Sequence, residues 1–214
     1  MKKKDVTICL DLGFRIELLS GYQKKKYQFV KSRDDFYFVF MHTSVDSDNS
    51  FPSTFYFGIG SLKIKKLLEF LFPNKYINIT ENNYPTQLRF HQIRLFDEGK
   101  YPILEYDIYT EEDAQKMVDE VSDYILNTIL PEWEANPTLE YLEKKVNEKL
   151  SDVPNFSGLI LAKLVGNPDY EKIKQHFLNV SKDWAEWDKA DLQKVIDFLD
   201  NHTTSELNTI ADNE

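Results

Sequence analysis

The aromatic residues of this chain are gathered toward one end, and this uneven distribution is the strongest constraint on its fold. Of the 30 Phe, Trp and Tyr residues, 21 lie at or before Tyr109. Aromatic and β-branched residues favour strands, whereas Glu, Lys, Leu and Ala favour helices. The 214-residue chain therefore predicts a sheet-rich region followed by a helical one.

Charge divides at nearly the same place. Residues 1–107 hold 16 Lys and Arg against 13 Asp and Glu, whereas residues 108–214 hold 10 Lys against 23 Asp and Glu. Segregated strands and helices are typical of the α+β class rather than of alternating βαβ units. We predict an α+β fold, with a mostly antiparallel sheet and one helix over 1–109 and an acidic, all-helical half over 110–214. The two regions are either separate domains or parts of one continuous domain.

Two patterns define elements of the sheet-rich region. Residues 36–41 are apolar on both faces, which is typical of a central strand that is covered on both sides. Ser61 is a suitable N-cap for a helix that Pro73 ends. The buried stripe predicted for that helix consists of Ile64, Leu67, Leu68, Leu71 and Phe72.

Helix boundaries can also be predicted in the acidic half. Thr110 is expected to cap a helix that ends before Pro131. The residues predicted to face inward are Ala114, Met117, Val118, Val121, Ile125 and Ile129. Asn136-Pro137 and Asn167-Pro168 each predict a helix start, because Asn suits the N-cap and Pro suits the first helical position. The polar residues after Asn201 are expected to fray.

Composition excludes several classes of protein. The single cysteine, Cys9, rules out an intramolecular disulfide and a cysteine-based zinc site. We expect a cytoplasmic protein without a membrane partner, because the basic start at residues 1–5 is not followed by an uninterrupted apolar segment. The net charge of −10 disfavours nucleic acid as a partner, since binding phosphates requires a basic face.

No catalytic signature is found, and the partial motifs fail on inspection. Asp46-x-Asp48 begins like a calcium loop, but the Gly and Glu that an EF-hand requires are replaced by Phe51 and Phe57. Gly58-Ile59-Gly60 precedes a helix but lacks the third Gly of a dinucleotide fingerprint and the Gly-Lys-Ser/Thr ending of a phosphate loop. We predict no catalytic residues, no metal site and no cofactor.

An enzymatic alternative depends on a scattered group of polar residues. His42, His91, Glu105 and Asp107 would have to converge for acid–base chemistry. The alternation of Glu105 and Asp107 with apolar neighbours instead favours a strand that turns its two acids toward solvent.

Two tryptophans lie in a strongly acidic segment, residues 183–188. Trp184 continues an apolar helical stripe and is predicted to be core, whereas Trp187 lies near a helix junction and is predicted to be partly exposed. A tryptophan rimmed by acids is a plausible binding hot spot for a basic protein, and inter-helical packing is the alternative. The candidate partner-binding residues are Asp183, Glu186, Trp187 and Asp188.

The overall layout also carries a family resemblance. Leu12-Gly13-Phe14 follows a predicted short helix over 4–12 and precedes aromatic strands and acidic helices. This arrangement resembles bacterial families of uncharacterised α+β domains of unknown function that are encoded beside polymorphic toxins. The resemblance implies an immunity or antitoxin role and supplies no site residues.

These observations favour a non-enzymatic, cytoplasmic interaction protein that docks a basic partner through its acidic helices. The alternative is an enzyme, or a small-molecule-binding module, with a site on the aromatic sheet. The sequence does not indicate an oligomeric state.

Overall fold

The computed structural model divides the chain into two compact units. Unit 1 comprises Met1–Ile59 and Leu95–Asn136, and unit 2 comprises Gly60–Arg94 and Pro137–Glu214. The structure describes residues 21, 23–25, 28–44, 51–73, 104–148, 150 and 156–213. These units do not follow the compositional boundary at Tyr109, because each combines segments from both halves of the chain.

Over the part of the chain that the structure describes, the sheet has five strands, which are neighbours in chain order. They are β1 (Gln23–Lys25), β2 (Gln28–Arg33), β3 (Phe36–Ser44), β4 (Phe51–Ser61) and β5 (Leu104–Ile108). β1 pairs with β2, β2 with β3, and β4 with β5, each in antiparallel register. A two-residue loop joins β2 to β3, and its first residue, Asp34, has φ of 52°, a conformation that Asp tolerates better than most residues.

The prediction of a central, doubly covered strand is confirmed in β3. This strand is third of five, and residues 36–40 are all buried. Phe38 and Phe40 share one face, and both rings stack on Trp133, with centroids 5.9 and 6.3 Å away. The aromatic strand is therefore the centre of the core of unit 1.

The helical segment of unit 1 begins at the predicted cap. Thr110 and Asp113 form a reciprocal capping box at the start of α2 (Glu111–Tyr124), with Thr110 Oγ1 accepting from the Asp113 N–H. The hydrogen bond from the Thr110 side chain, together with backbone N–H donors, lowers the pKa of Asp113. The predicted inward residues are buried; they are Ala114, Met117, Val118, Val121, Ile125 and Ile129.

The predicted end of this helix before Pro131 is wrong. The backbone passes through a π-helical turn, Ile125–Ile129, and continues as α3 (Leu130–Ala135). In the turn, the Leu130 N–H bonds the Ile125 carbonyl five residues back. Proline inside a regular α-helix clashes with the carbonyl four residues back, and the wider π turn changes the backbone just before Pro131. Pro131 then occupies the first turn of α3, where proline is tolerated.

Unit 2 is helical. It contains α1 (Leu62–Leu71), α4 (Leu139–Asn147), α5 (Phe156–Leu164), α6 (Tyr170–Val180), α7 (Glu186–Asp200) and α8 (Thr204–Asn213). The predicted stripe of α1 is buried, and Ser61 is its N-cap as expected, although the Ser61 hydroxyl makes no capping hydrogen bond. The Lys194 ammonium donates to the Leu71 carbonyl at the C-terminus of α1, which holds α7 against α1.

Two features of unit 2 differ from the sequence expectations. The helix starts predicted at Asn136 and Asn167 lie two residues later, where Thr138 and Asp169 are the N-caps. The residues after Asn201 do not fray: they form α8, whose Leu207 and Ala211 are fully buried or nearly so.

The fold class is confirmed as α+β, with an antiparallel sheet followed by helices. The helix predicted to start at Ser61 is α1. The short helix predicted over 4–12 lies outside the described residues. Among the described residues, no helix has both the length and the apolar character needed to cross a membrane.

Candidate functional site

The acidic tryptophan segment lies where the chain turns from α6 into α7. A short 3₁₀ helix, Ser181–Asp183, follows α6, and α7 begins at Glu186 after an extended residue at Ala185. Ser181 anchors this turn, since its hydroxyl donates to the Leu178 carbonyl at 3.0 Å. The segment is therefore a tight helix–helix connection with a defined backbone.

The two tryptophans of this segment have different environments. Trp184 is half-buried and makes an edge contact with Phe177 of α6, with ring centroids 6.3 Å apart. Trp187, in the first turn of α7, is 69% exposed. Large apolar side chains of this size usually bury most of their area, so the indole of Trp187 is an uncommon surface feature.

Acidic side chains surround Trp187. Residues 183–191 include four acids and one lysine. Asp183 and Glu186 are exposed and Asp188 is partly exposed. Lys189 pairs with Glu186 at 2.9 Å, and within the described part of the chain no ion pair neutralises Asp183 or Asp188. The exposed indole is thus bordered by acidic side chains, and the positive N-terminal end of the helix dipole favours acids at this first turn of α7.

A partly buried polar cluster fixes the other end of α7. The Lys174 ammonium of α6 lies 3.0 Å from the Asp200 carboxylate and 2.8 Å from that of Glu171. The Tyr170 hydroxyl donates to Asp200 at 3.1 Å. Burial, followed by the Asp200 charge, raises the pKa of Tyr170, so its phenol keeps its proton. This cluster attaches the last turn of α7 to α6.

Unit 2 also contains a polar cavity at one end of α4, with a volume of about 240 Å³. Glu143 lies at this cavity and is only 9% exposed. One of its carboxylate oxygens, Oε1, accepts from the Asn147 amide at 2.9 Å and from the Asn167 amide. The same Asn147 amide donates to the Gly158 carbonyl at 3.0 Å, so the cluster joins α4, α5 and the turn before α6.

Gly158 is required for this close approach of α4 and α5. A Cβ at this position would lie 2.6 Å from Asn147 Oδ1 and 3.3 Å from a Val146 methyl group. Asn147 Oδ1 is itself buried, and it has no hydrogen-bond partner among the described residues. The Asn147 amide is therefore held by its nitrogen alone.

The described residues include only part of the group on which the enzymatic alternative depends. The backbone places His42 in β3 and Glu105 in β5, opposite Thr54 of β4, while their side chains and all of His91 lie outside the described part. Asp107 is exposed and Ile108 is fully buried, as the alternation predicted. In the described residues, no group of three or more His, Cys, Asp or Glu is arranged to hold a metal ion.

Sequence reasoning identified the Trp187 segment but missed the Glu143 cavity. Glu143 and Asn147 are four residues apart and therefore share a face of α4, next to the buried Leu142. A carboxylate beside the apolar stripe of a short helix was the available signal. Its partner Asn167 is 24 residues from Glu143 and could be placed only by the fold.

No family model, curated protein or solved structure matches this chain.

Proposed function

We propose that this protein is a non-enzymatic interaction protein of the cytoplasm, of the immunity or antitoxin type. It docks a basic protein, such as a nuclease-like toxin, through a surface formed by Asp183, Glu186, Trp187 and Asp188. We call these four residues the acidic tryptophan surface.

The exposure of Trp187 is the observation that carries the proposal. Tryptophan is enriched among the residues that dominate binding energy at protein interfaces, where it fills a pocket on the partner. Trp184, three residues earlier, already provides the packing contact to α6. An indole that is 69% exposed beside a packed one is therefore better explained by binding than by folding.

Charge identifies the kind of partner. The acids that border Trp187 are accompanied by a net charge of −13 over residues 108–214. A single-sign field of this kind attracts an oppositely charged protein and raises the rate of encounter. A basic partner would thus be steered to the surface on which Trp187 provides the apolar contact.

The test is retention of proteins from a lysate of the source cell on the immobilised full chain. We expect a basic protein to be retained at about 50 mM salt and largely lost at about 300 mM, since the Debye length shortens across this range. With the purified partner, Trp187→Ala should weaken binding by about 30-fold or more, as for a hot-spot tryptophan. The double reversal Glu186→Lys, Asp188→Lys should slow association more than it speeds dissociation.

Matched variants control for charge and aromatic content. Glu111 and Glu112 are exposed acids in the first turn of α2. The double reversal Glu111→Lys, Glu112→Lys changes the net charge by the same amount as the double reversal of Glu186 and Asp188. Tyr109 is 57% exposed, and Tyr109→Ala matches the loss of an exposed aromatic ring. The proposal is contradicted if variants of the acidic tryptophan surface retain as much of the basic protein as the wild type does. It is also contradicted if the control variants lose as much retention as the variants of that surface.

A further inference from the structure

The Glu143 carboxylate has an incomplete set of partners for a buried acid. Its Oε1 atom receives both amide hydrogen bonds, from Asn147 and Asn167, and its Oε2 atom receives none in the described part of the chain. No ion pair to Glu143 is formed there either. Buried carboxylates are costly unless a cation or several donors satisfy them. One oxygen of this carboxylate, Oε2, therefore has no donor among the described residues, and it is not fully shielded from solvent because Glu143 lines the cavity.

This acceptor belongs to a cavity of ligand-binding character. The inner lining combines polar Glu143, Asn147 and Asn167 with apolar Leu150 and Ile173. The remaining lining residues are charged and exposed; they are Lys144, Glu148, Asp169 and Lys172. An apolar wall with a few convergent polar groups is typical of small-molecule sites, and about 240 Å³ lies below the usual range for drug-sized ligands.

The chemistry of the lining selects a cation over other ligands. Glu143 is the one nearly buried charge of the lining, whereas its charged neighbours Lys144, Glu148, Asp169 and Lys172 are exposed to water. Glu143 would repel an anion, and a neutral molecule would leave its carboxylate without a counter-charge. Calcium requires six to eight oxygen ligands, which one buried carboxylate and two amides do not supply. A primary ammonium group carries three donors on a compact charge; one donor matches the unpaired oxygen of Glu143, and the others remain available to water.

We propose that the Glu143 cavity binds a small organic molecule through its primary ammonium group. The ammonium group donates to the unpaired oxygen of Glu143, and the carbon chain contacts Leu150 and Ile173. The hydrogen bonds from Asn147 and Asn167 hold the carboxylate in place before the ligand arrives, which lowers the ordering cost of binding. This site is separate in sequence from the acidic tryptophan surface, and it requires no protein partner.

The test is a titration of the full chain, followed by the side-chain amide signals of Asn147 and Asn167 in nitrogen–proton correlation spectra. The probe is n-butylammonium chloride, and the matched probes are n-butanol and sodium butyrate at equal ionic strength. We expect saturable shifts of both amide signals with the ammonium probe alone. Absence of saturation, or equal shifts with butanol, overturns the proposal and leaves a solvated structural carboxylate.

Two variants locate the binding charge. Glu143→Gln keeps a side-chain carbonyl that accepts hydrogen bonds and removes the charge, so affinity should fall by at least about tenfold. Glu148→Gln removes an exposed charge from the same cavity and should change affinity by less than about threefold. If wild type and Glu143→Gln bind n-butylammonium with equal affinity, the assignment of the binding charge to Glu143 is overturned. If Glu143→Gln does not fold, the titration of the wild-type chain decides the proposal. An N-acetylated, C-amidated Gly-Lys-Gly peptide carries its only ammonium group on the lysine side chain. If it binds as tightly as the amine, it contradicts a small free ligand and indicates a lysine side chain.

Discussion

Single polar residues attach α6 to the last turn of α7. They are Tyr170 and Lys174 of α6, which both contact Asp200 of α7. Lys174 is almost fully buried, yet its ammonium group is satisfied by two carboxylates and lies 5.3 Å from the centre of the Tyr170 ring. Burial by itself lowers the pKa of Lys174, but the hydrogen bonds to Glu171 and Asp200 outweigh it and raise the pKa. Removing one member of such a cluster leaves the others partly unsatisfied, which is costly at a buried position.

We predict that Tyr170→Phe destabilises the fold by about 1 kcal/mol at neutral pH and makes it less sensitive to alkali. The lost hydrogen bond to Asp200 accounts for the first effect, since Lys174 still pairs with Asp200. Burial raises the pKa of Tyr170 above that of an unfolded phenol, about 10. The raised pKa of Tyr170 therefore stabilises the folded state fully at pH values below about 10. This stabilisation is lost as the pH rises above the pKa of the unfolded phenol. Urea unfolding at pH 8 and pH 11 measures the free energy of unfolding of both proteins. If wild type and variant lose the same free energy of unfolding between these two pH values, the predicted difference in alkali sensitivity is refuted.

At the scale of elements, the ends of α8 explain why the C-terminal residues fold. Thr203 and Glu206 form a reciprocal pair: the Thr203 N–H donates to the Glu206 carboxylate at 2.7 Å, and the Glu206 N–H donates to Thr203 Oγ1 at 3.3 Å. Lys66 donates to the Ala211 carbonyl near the other end at 3.0 Å. Lys63 contacts Asn208 and Asp212 on the same helix. Local capping and contacts with α1 thus hold a helix of low overall hydrophobicity.

We predict that Thr203→Ala lowers stability by about 0.5–2 kcal/mol, the usual cost of a lost N-cap. The amides of α8 should exchange with solvent faster in this variant. The backbone hydrogen bond from Thr203 lowers the pKa of Glu206, so the cap acts above the ordinary carboxyl pKa of 4.5 and is lost as the pH falls below it. Thr209→Ala, at an exposed position within the same helix, is the control and should change stability by less than about 0.5 kcal/mol. Equal exchange in the two variants would contradict the role of the cap.

The same elements show how far sequence reasoning extends. Amphipathic helices such as α1 and α2 were predicted with their buried stripes, because a polar face makes the 3.6-residue period visible. α5 was missed, because eight of its nine residues are buried and no polar face marks a period. α8 is not predicted, because its Thr-x-x-Glu start, Thr203 to Glu206, lies within a polar segment that carries few apolar residues to mark a helical period. The position of Trp187 followed from helix patterning, whereas the Glu143 cavity depends on contacts between distant segments.

At the scale of the whole molecule, composition and packing divide the chain differently. Aromatic content and charge change near residue 109, yet α1 packs with the acidic helices of unit 2, and α2 and α3 pack in unit 1. Elements contact whichever surfaces complement their apolar faces, regardless of the mean composition of the flanking sequence. Lys63, Lys66 and Lys194 illustrate this for α1, since they join it to α7 and α8. The basic excess of the N-terminal half is thus partly used inside the acidic helical unit.

The last prediction concerns the excess of negative charge, and it separates self-repulsion from attraction within the fold. The net charge of −10 favours an expanded chain, because like charges repel in the compact state. Exposed ion pairs such as Lys116–Glu120 contribute only about 0–1 kcal/mol each to the free energy of unfolding. Their screening by added salt therefore lowers the stability of the fold only slightly. We therefore expect the melting temperature to rise between about 10 mM and about 200 mM sodium chloride, as the Debye length falls from about 30 Å to below 10 Å.

Neutralising Glu111 and Glu112, which form no ion pair with the described residues, should likewise raise the melting temperature at low salt. The reversal Glu111→Lys, Glu112→Lys reduces the net charge by four units, but it also places cations at the N-terminus of α2, where the helix dipole opposes them. The neutral pair Glu111→Gln, Glu112→Gln avoids part of that penalty and reduces the charge by two. We expect the melting temperature of the neutral pair to rise less with salt than that of the wild type, as followed by circular dichroism. If the melting temperature instead falls with salt in both proteins, attractive pairs outweigh repulsion, and the acidic excess is then already balanced within the fold.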